Sequence, residues 1–213
     1  MVIRLLERAT QCMKVDHVVL AVPDSPEDDA LVEAARRFGF SCSRGSEQDL
    51  IARHLAVADQ YQSDVIVRLP GDNPVADPIE IERLITQFRM DGAVGFMTNL
   101  CDVFDSGYPD GLGAEIFRTE LLREAYIRRP SRIQVEHIHR NFFDYESGTP
   151  VDEKWCPVAT ILCPPHLRRP HLRLDVNTYQ DLQFIRRIYD ALWPIDPYFN
   201  AQAIIDWVDA DSA

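Results

Sequence analysis

Two rhythms of apolar residues alternate along the first half of the chain. Val2, Leu5, Leu6, Ala9 and Met13 recur at helical spacing and predict a helix over residues 2–13, with no capping residue ahead of it. The stretch 16–22 that follows contains HVVLAV, a continuous apolar run of strand length. Ser25 then offers a cap, Pro26 a first helical position and Asp28 a first-turn acid, and Gly39 marks that helix's end. Phe40–Ser43 reads as a short strand, and Ser46 with Asp49 three residues on reads as the start of the next helix. Val65–Leu69 is again strand-like. Asp77, Pro78 and Glu80 supply cap, first position and capping box for a helix whose buried face is Leu84, Ile85 and Phe88.

Further on, Ala93–Thr98 predicts a strand, and residues 99–113, rich in Asp and Gly, predict a loop with strand fragments. Helices are expected near 119–127 and 132–144, and strands over Val158–Cys163 and Leu172–Val176. Thr178 and Asp181 cap a helix reaching about Trp193, and a last short helix runs from about Ala201 to Val208. No repeat, low-complexity tract or linker interrupts the chain, whose 213 residues suit one α/β domain. Strands separated by helices imply right-handed crossovers and a mostly parallel sheet. Such sheets bind ligands beyond the carboxyl ends of their strands. Asp72, in RLPGDNP, sits just past one such end; Asp175 and Asn177 sit at another.

Charge narrows the partners. With 22 Lys and Arg against 34 Asp and Glu the net charge is −12, which speaks against a nucleic-acid-binding face. A small anionic ligand held through a cation and a few arginines stays compatible. Lys14 and Lys154 are the only lysines, so phosphate contacts fall to arginine side chains or backbone N–H groups. No apolar run is long enough to span a bilayer, and Arg4, Glu7 and Arg8 interrupt what a signal peptide would need. Cys12, Cys42, Cys101, Cys156 and Cys163 are scattered without C-x-x-C, which fits reduced thiols in a cytoplasmic protein.

Two acids at neighbouring strand ends have the donors for one Mg2+, which takes one or two carboxylates and fills its shell with phosphate oxygens and water. The same residue types have plainer roles. An Asp in Gly-Asp-Asn-Pro forms turns, as does Tyr108-Pro109-Asp110-Gly111. Ser46 caps a helix, Arg44 is a solvated loop residue, and Arg173 pairs with an acid on a neighbouring strand. His137 and His139 lie two apart on a predicted helix, which turns their rings to different faces. Asp209-Ala210-Asp211 has the D-x-D form of metal-dependent glycosyltransferases but lies at the extreme C-terminus, where chains fray.

RGSEQDLIARHLAVADQYQSDVIVRLPGDNPVADPIEIERLI is followed in order by YPDGLGAEIF (108–117), VEHIHRNFF (135–143) and LRLDVNTYQDLQFIRRI (172–188). This ordered set resembles the cytidylyltransferases of surface-sugar biosynthesis, which include SpsF-like spore-coat proteins and the synthetases that activate sialic acid and 3-deoxy-manno-octulosonate with CTP. The resemblance implies a Rossmann-like three-layer nucleotidyltransferase fold and a homodimer. It also implies attack by a sugar or sugar-acid oxygen on the α-phosphorus of CTP, with Mg2+ as cofactor and pyrophosphate released. It implies that Asp72 helps hold the metal. The family's second metal-binding acid falls at Asn177, a poorer ligand; Asp175, on the same strand face, either takes its place or leaves the metal weakly held. Arg44, Gly45 and Ser46 match the loop near the nucleobase and ribose, with Arg68 as a further nucleotide contact. Tyr108, Asp110 and Glu115 match a loop facing the sugar, His137 matches the E-H-V helix, and Arg173 joins the substrate contacts. Residues 99–145 correspond to the sugar-binding and dimerisation section, with Phe142 and Phe143 near the subunit contact. No residue stands out as general base.

The resemblance departs at the front. The family opens with a strand and a basic Gly/Ser-rich loop that cradles the triphosphate, whereas Met1 matches an internal methionine. The expectation is a sheet with a gap or unpaired edge, weak CTP binding and near-background turnover. Two other readings stand beside this one: a nucleotide-sugar-dependent glycosyltransferase, and a truncated subunit that binds a partner or nucleotide without turnover.

Overall fold

The computed structural model describes residues 1–128 and 130–211. Along the chain come α1 (Val2–Ala9), β1 (Val19–Pro23), α2 (Asp29–Arg37), β2 (Ser41–Gly45), α3 (Leu50–Tyr61), β3 (Val65–Arg68), α4 (Pro78–Met90) and β4 (Phe96–Thr98). Then follow β5 (Glu115–Arg118), α5 (Thr119–Ile127), α6 (Arg132–Glu136), the hairpin β6 (Phe143–Asp144) and β7 (Thr149–Pro150), β8 (Val158–Ala159), α7 (Tyr179–Leu192) and α8 (Ala201–Asp211).

Strand alternation sorts side chains into two cores, because successive residues of a strand point to opposite faces. Val65, Val67, Met97, Ile116 and Ala159 pack on one side with residues of α1, α4, α7 and α8. Ile66, Phe96, Phe117 and Val158 pack on the other with residues of α3, α5 and α6. Helices therefore cover both faces, as the expected Rossmann-like three-layer fold requires. β3, β5, β4 and β8 form one sheet in that spatial order. β3, β4 and β8 run the same way and β5 runs against them. The connection 99–114 contains no crossover helix and returns at the end where β4 stops, which permits only the antiparallel direction. β1 and β2 pair in parallel as a separate two-stranded sheet, so the sheet is interrupted between β1 and β3.

Several boundaries differ from the sequence reading for local reasons. α1 stops at Ala9 because the Thr10 hydroxyl turns back to the Glu7 carbonyl (2.7 Å), which leaves Met13 90% exposed instead of on the buried face. Asp49, and not Ser46, caps α3: its carboxylate accepts from the Ala52 N–H (2.7 Å), while the Ser46 hydroxyl accepts from Asp49 N–H (3.0 Å). The helix expected over 132–144 breaks at His137, and the Asn141 amide donates to the carbonyls of Gln134 and Ile138 (both 2.9 Å), closing a 3-10 turn. That turn drives Phe142 and Phe143 into the chain's own core, so they are unavailable as the expected subunit contact. The strand expected over 158–163 is only β8, and 172–176 contributes a single parallel bridge, Asp110 to Arg173.

Gly113 marks the tightest point of the 99–114 connection. A Cβ there would lie 2.2 Å from both the carbonyl oxygen and Oδ1 of Asn99. Asn99 uses that approach to fix the loop, accepting from the Ala114 N–H (3.0 Å) and donating to the Glu80 carbonyl (3.2 Å).

Asp77 holds two helix starts at once. Its Oδ1 accepts from the N–H groups of Ile79 (2.7 Å) and Glu80 (3.2 Å) at the head of α4, and its Oδ2 accepts from Ala201 N–H at the head of α8. The reciprocal half of the expected capping box is not made, because the Asp77 N–H goes to the Leu112 carbonyl (2.7 Å) and Glu80 turns to Tyr108 and Arg83. Removing a cap and stranding buried donors predicts that Asp77→Ala lowers the unfolding free energy by about 3 kcal/mol. Asp77→Asn, which keeps one accepting oxygen, should lose roughly half as much. Urea denaturation tests this; an Asp77→Ala loss below about 1 kcal/mol would contradict the double cap.

Candidate functional site

Three segments are laced together beyond the carboxyl end of β3. The Val176 N–H donates to the Asp72 carbonyl (2.9 Å), and Leu174 N–H to the Asp110 carbonyl (2.9 Å). Gly111, at φ +91°, lets Leu174 and Asp175 pass so closely that a Cβ would stand 3.0 Å from Asp175 N. Asp72, Asp110 and Asp175 are thereby brought to one edge. Burial, then the Asp175 charge, push the Asp110 carboxyl up to about 6; Arg173 opposes the shift and Asp72 adds to it.

The acids are not equivalent in their partners. Asp175 Oδ2 accepts from Arg173 (2.6 Å) and from the Asn177 amide, while Arg173 also lies 3.6 Å from Asp110. Asp175 Oδ1 and Asp72 Oδ1 are both buried with no hydrogen-bond partner. A buried carboxylate oxygen without a donor is costly, and a hard cation is a chemically fitting partner for two of them. Asn177 turns its amide nitrogen to Asp175, so it orients that carboxylate. Among the described residues no group of three His, Cys, Asp or Glu side chains forms a cage for a metal. An ion held by Asp72 and Asp175 would keep most of its shell for phosphate and water, as Mg2+ does.

A second polar cluster lies beside the first, on the face of the sheet that carries Ile66, Phe96 and Phe117. Register places Arg68, Glu115 and Thr98 directly across from one another on β3, β5 and β4. Glu115 is fully buried; its Oε2 accepts from Arg68 (2.6 Å) and its Oε1 from the Tyr145 hydroxyl (3.1 Å). Burial works against the Arg68 charge, but Glu115 outweighs it and the Arg68 pKa rises. Burial, then Glu115, push the Tyr145 phenol well above its usual value. His139 Nδ1 lies 3.7 Å from Glu115 Oε1 without a hydrogen-bond partner. Burial lowers the His139 pKa to about 4, against the pull of Glu115. His54 is held at about 4 mainly by burial and then by Arg68.

The remaining sequence candidates are placed elsewhere. Arg44 binds the Ser25 carbonyl (3.0 Å) and Asp29, which ties the end of β2 to the turn after β1. Gly45 leaves room for Arg53, whose Cγ would be 3.0 Å from a Cβ there. The Ser46 carbonyl accepts from Arg53 (2.9 Å). Tyr108 does not face a sugar site: it is fully buried, with its hydroxyl donating to Glu80 and accepting from Arg83 (2.8 Å). His137 is exposed at the break after α6, and its ring is 5.9 Å from that of His139. The D-x-D acids are engaged in ion pairs, Asp209 with Arg169 and Asp211 with Arg187. Sequence reasoning missed His139, Tyr145 and Thr98. The available signal for Thr98 was its place two residues beyond Phe96 on the same strand face.

Comparison with known proteins agrees with this fold. The family profile described as cytidylyltransferase matches residues 1–195. An uncharacterized protein of Methanocaldococcus jannaschii is 26% identical over 205 residues, covering 96% of this chain and 78% of that protein. The spore coat polysaccharide biosynthesis protein SpsF of Bacillus subtilis is 28% identical over 176 residues, covering 82% of this chain and 67% of its own. The structure of a cytidylyltransferase from Leptospira borgpetersenii superimposes with a TM-score of 0.85 at 24% identity, covering 99% of this chain and 83% of that one. This last likeness speaks to the fold.

The two depressed histidines give a pH dependence of definite sign. An unfolded histidine takes up its proton near pH 6.5, whereas His54 and His139 stay neutral to about 4. Between those values the unfolded chain binds more protons, so stability is lost as pH falls from about 6.5 toward about 4, by up to about 3 kcal/mol per histidine. Urea unfolding at pH 7, 5.5 and 4.5 should show the loss, and His139→Gln should flatten it. An unchanged slope in the variant would contradict the His139 assignment.

Proposed function

Because the chain belongs to the cytidylyltransferase family, we propose that its site serves transfer of a cytidylyl group from CTP to an oxygen of a sugar or sugar acid, releasing pyrophosphate, in the making of a surface polysaccharide. The single observation that carries the reading is the pair of buried, partnerless oxygens on Asp72 and Asp175 at one edge of the sheet. Those two residues would hold Mg2+, which when bound neutralises phosphate charge and polarises the α-phosphorus toward attack. Arg173 and Asn177 keep the Asp175 carboxylate oriented. Asp110, 3.6 Å from Arg173 and within the electrostatic reach of Asp72 and Asp175, borders the sugar side. Glu115 and Thr98 are fully buried, so Glu115 does not face the sugar; with Arg68 and Tyr145 they brace the strand ends beside the acids. Gly45 and Ser46 border the nucleotide side.

SpsF, named for spore coat polysaccharide biosynthesis, supports the polysaccharide setting. Among the described residues no helix is long and apolar enough to cross a membrane, and the five cysteines are free, which suits work in the cytoplasm. A homodimer is part of the proposal, with the exposed Tyr126, Ile127 and Ile133 in place of Phe142 and Phe143 as its apolar contact; light scattering that stays monomeric at micromolar concentrations would remove it. A glycosyltransferase reading gains nothing from the D-x-D acids, since both are ion-paired.

Asp72→Asn and Asp175→Asn should each weaken Mn2+ binding, followed by electron paramagnetic resonance with CTP present, and lower pyrophosphate release by about a hundredfold or more. Undiminished Mn2+ binding in both variants would overturn the metal assignment.

A further inference from the structure

The loop that carries Asp72 is held from outside itself. Its internal hydrogen bonds are long: Asn73 N–H donates to the Pro70 carbonyl (3.2 Å) and Ala76 N–H to the Asn73 carbonyl (3.4 Å). Residues 73–77 are nevertheless all buried. The shorter contacts come from other elements, and they fall on alternate carbonyls. The Asp72 carbonyl accepts from Val176 N–H (2.9 Å), that of Pro74 from the Tyr189 hydroxyl on α7 (2.7 Å), and that of Ala76 from Nε of Arg8 on α1 (2.8 Å).

Packing alone does not call for an arginine at position 8. Arg8 is 3% exposed, and burial lowers its pKa against the pull of Tyr189, Asp77 and Asp196. Among the described residues it has no ion-pair partner. Its guanidinium is spent on backbone instead: Nε on Ala76 and a terminal nitrogen on the Phe199 carbonyl (3.0 Å), with the guanidinium 4.8 Å from the centre of the Phe199 ring. An unbranched apolar side chain such as methionine would occupy much the same space without a buried charge. What it could not do is satisfy the two buried carbonyls. Tyr189 stands in the same cluster, its ring edge-on to Phe199 at 5.2 Å.

α7 links the two halves of the acid pair. The segment Asp175–Asn177 runs straight into its head, where the Asn177 N–H donates to Asp181 (3.0 Å) and Thr178 closes a capping box with the same residue. Two turns further along, its Tyr189 reaches the loop of Asp72. We propose that Arg8 and Tyr189 are positioning residues: they hold the 72–77 loop so that the Asp72 carboxylate stays turned to the divalent cation it shares with Asp175. The inference rests on the reading of those two acids as a metal pair, and on nothing about the nucleotide or the sugar. Neither side chain touches the ion; each acts through a carbonyl of the loop. A drift of one acid leaves a site of one carboxylate, and outer partners of this kind are typically worth about 10–100-fold in metal affinity.

The test compares Tyr189→Phe, Arg8→Met and Asp72→Asn with the unaltered chain. Binding of Mn2+ alone is followed by electron paramagnetic resonance, and amide exchange by nuclear magnetic resonance without metal. Tyr189→Phe and Arg8→Met should each weaken Mn2+ binding about tenfold. In both, exchange of the Val176 amide, which bonds to Asp72, should rise about tenfold relative to the Leu174 amide, which bonds to Asp110. A merely structural role would raise both amides together with a fall in thermal stability. Should Arg8→Met fail to fold, Tyr189→Phe decides, since it removes a single hydroxyl. Unchanged Mn2+ affinity in Tyr189→Phe where Asp72→Asn loses it, or equal acceleration of the two amides, would overturn the positioning role and leave the metal pair standing. Undiminished Mn2+ binding in Asp72→Asn would overturn the metal pair and this inference with it.

Discussion

The site depends on one buried ion pair, Arg68 with Glu115. It sits at the point where β3 ends, β5 begins and β4 stops, with Glu115 fully buried and Arg68 nearly so. Breaking a buried pair by removing one partner leaves an uncompensated charge and costs several kcal/mol, so the pair fixes which residues of β3 and β5 face each other. That register in turn sets the face on which Thr98 stands. It also fixes the strand end from which the chain continues to Gly71 and Asp72. Tyr145, carried in by the hairpin after the 3-10 turn, completes the shell around the carboxylate. The pair belongs to fold and site alike, and neither can be altered at this point without the other.

Much of the fold was legible because local chemistry and tertiary packing agree. Ser25, Asp77 and Thr178 cap as their types and spacing predict, Gly39 takes the left-handed conformation that ends a helix, and the strand at 65 alternates between two cores. Asp72 and Asp175 were legible because an acid just past a strand end has few places to go but the sheet's edge. Reading failed where a side chain's direction is decided by a distant partner. The turn composition around Tyr108 describes the backbone well, yet the ring turns inward because Glu80, far away in sequence, waits for its hydroxyl. Arg44 is captured by Asp29 in the same way. His139 was hidden by a helix assumed to be continuous; the Asn141 side chain, bonding to two carbonyls, breaks it and moves the ring from an opposite face toward Glu115.

The charge balance of the site is set by arginines that already have partners. Arg68 is held by Glu115, Arg173 by Asp175 with Asp110 nearby, and Arg44 by Asp29. Asp72 has none of these within ion-pair reach, while burial and then the Asp175 charge push the Asp110 carboxyl up to about 6. A protein that carries a net −12 has thus concentrated part of its negative field at one sheet edge, where a divalent cation would lower the mutual repulsion of the acids.

The double cap at Asp77 has a mechanical meaning. One carboxylate grips the first turn of α4 and the first turn of α8, and the loop from Asp72 to Asp77 is strung between that grip and the end of β3. A shift of α8 is therefore passed to Asp77 and, through the turns that Arg8 and Tyr189 pin at Ala76 and Pro74, toward Asp72. The last helix is geared to a site it never touches.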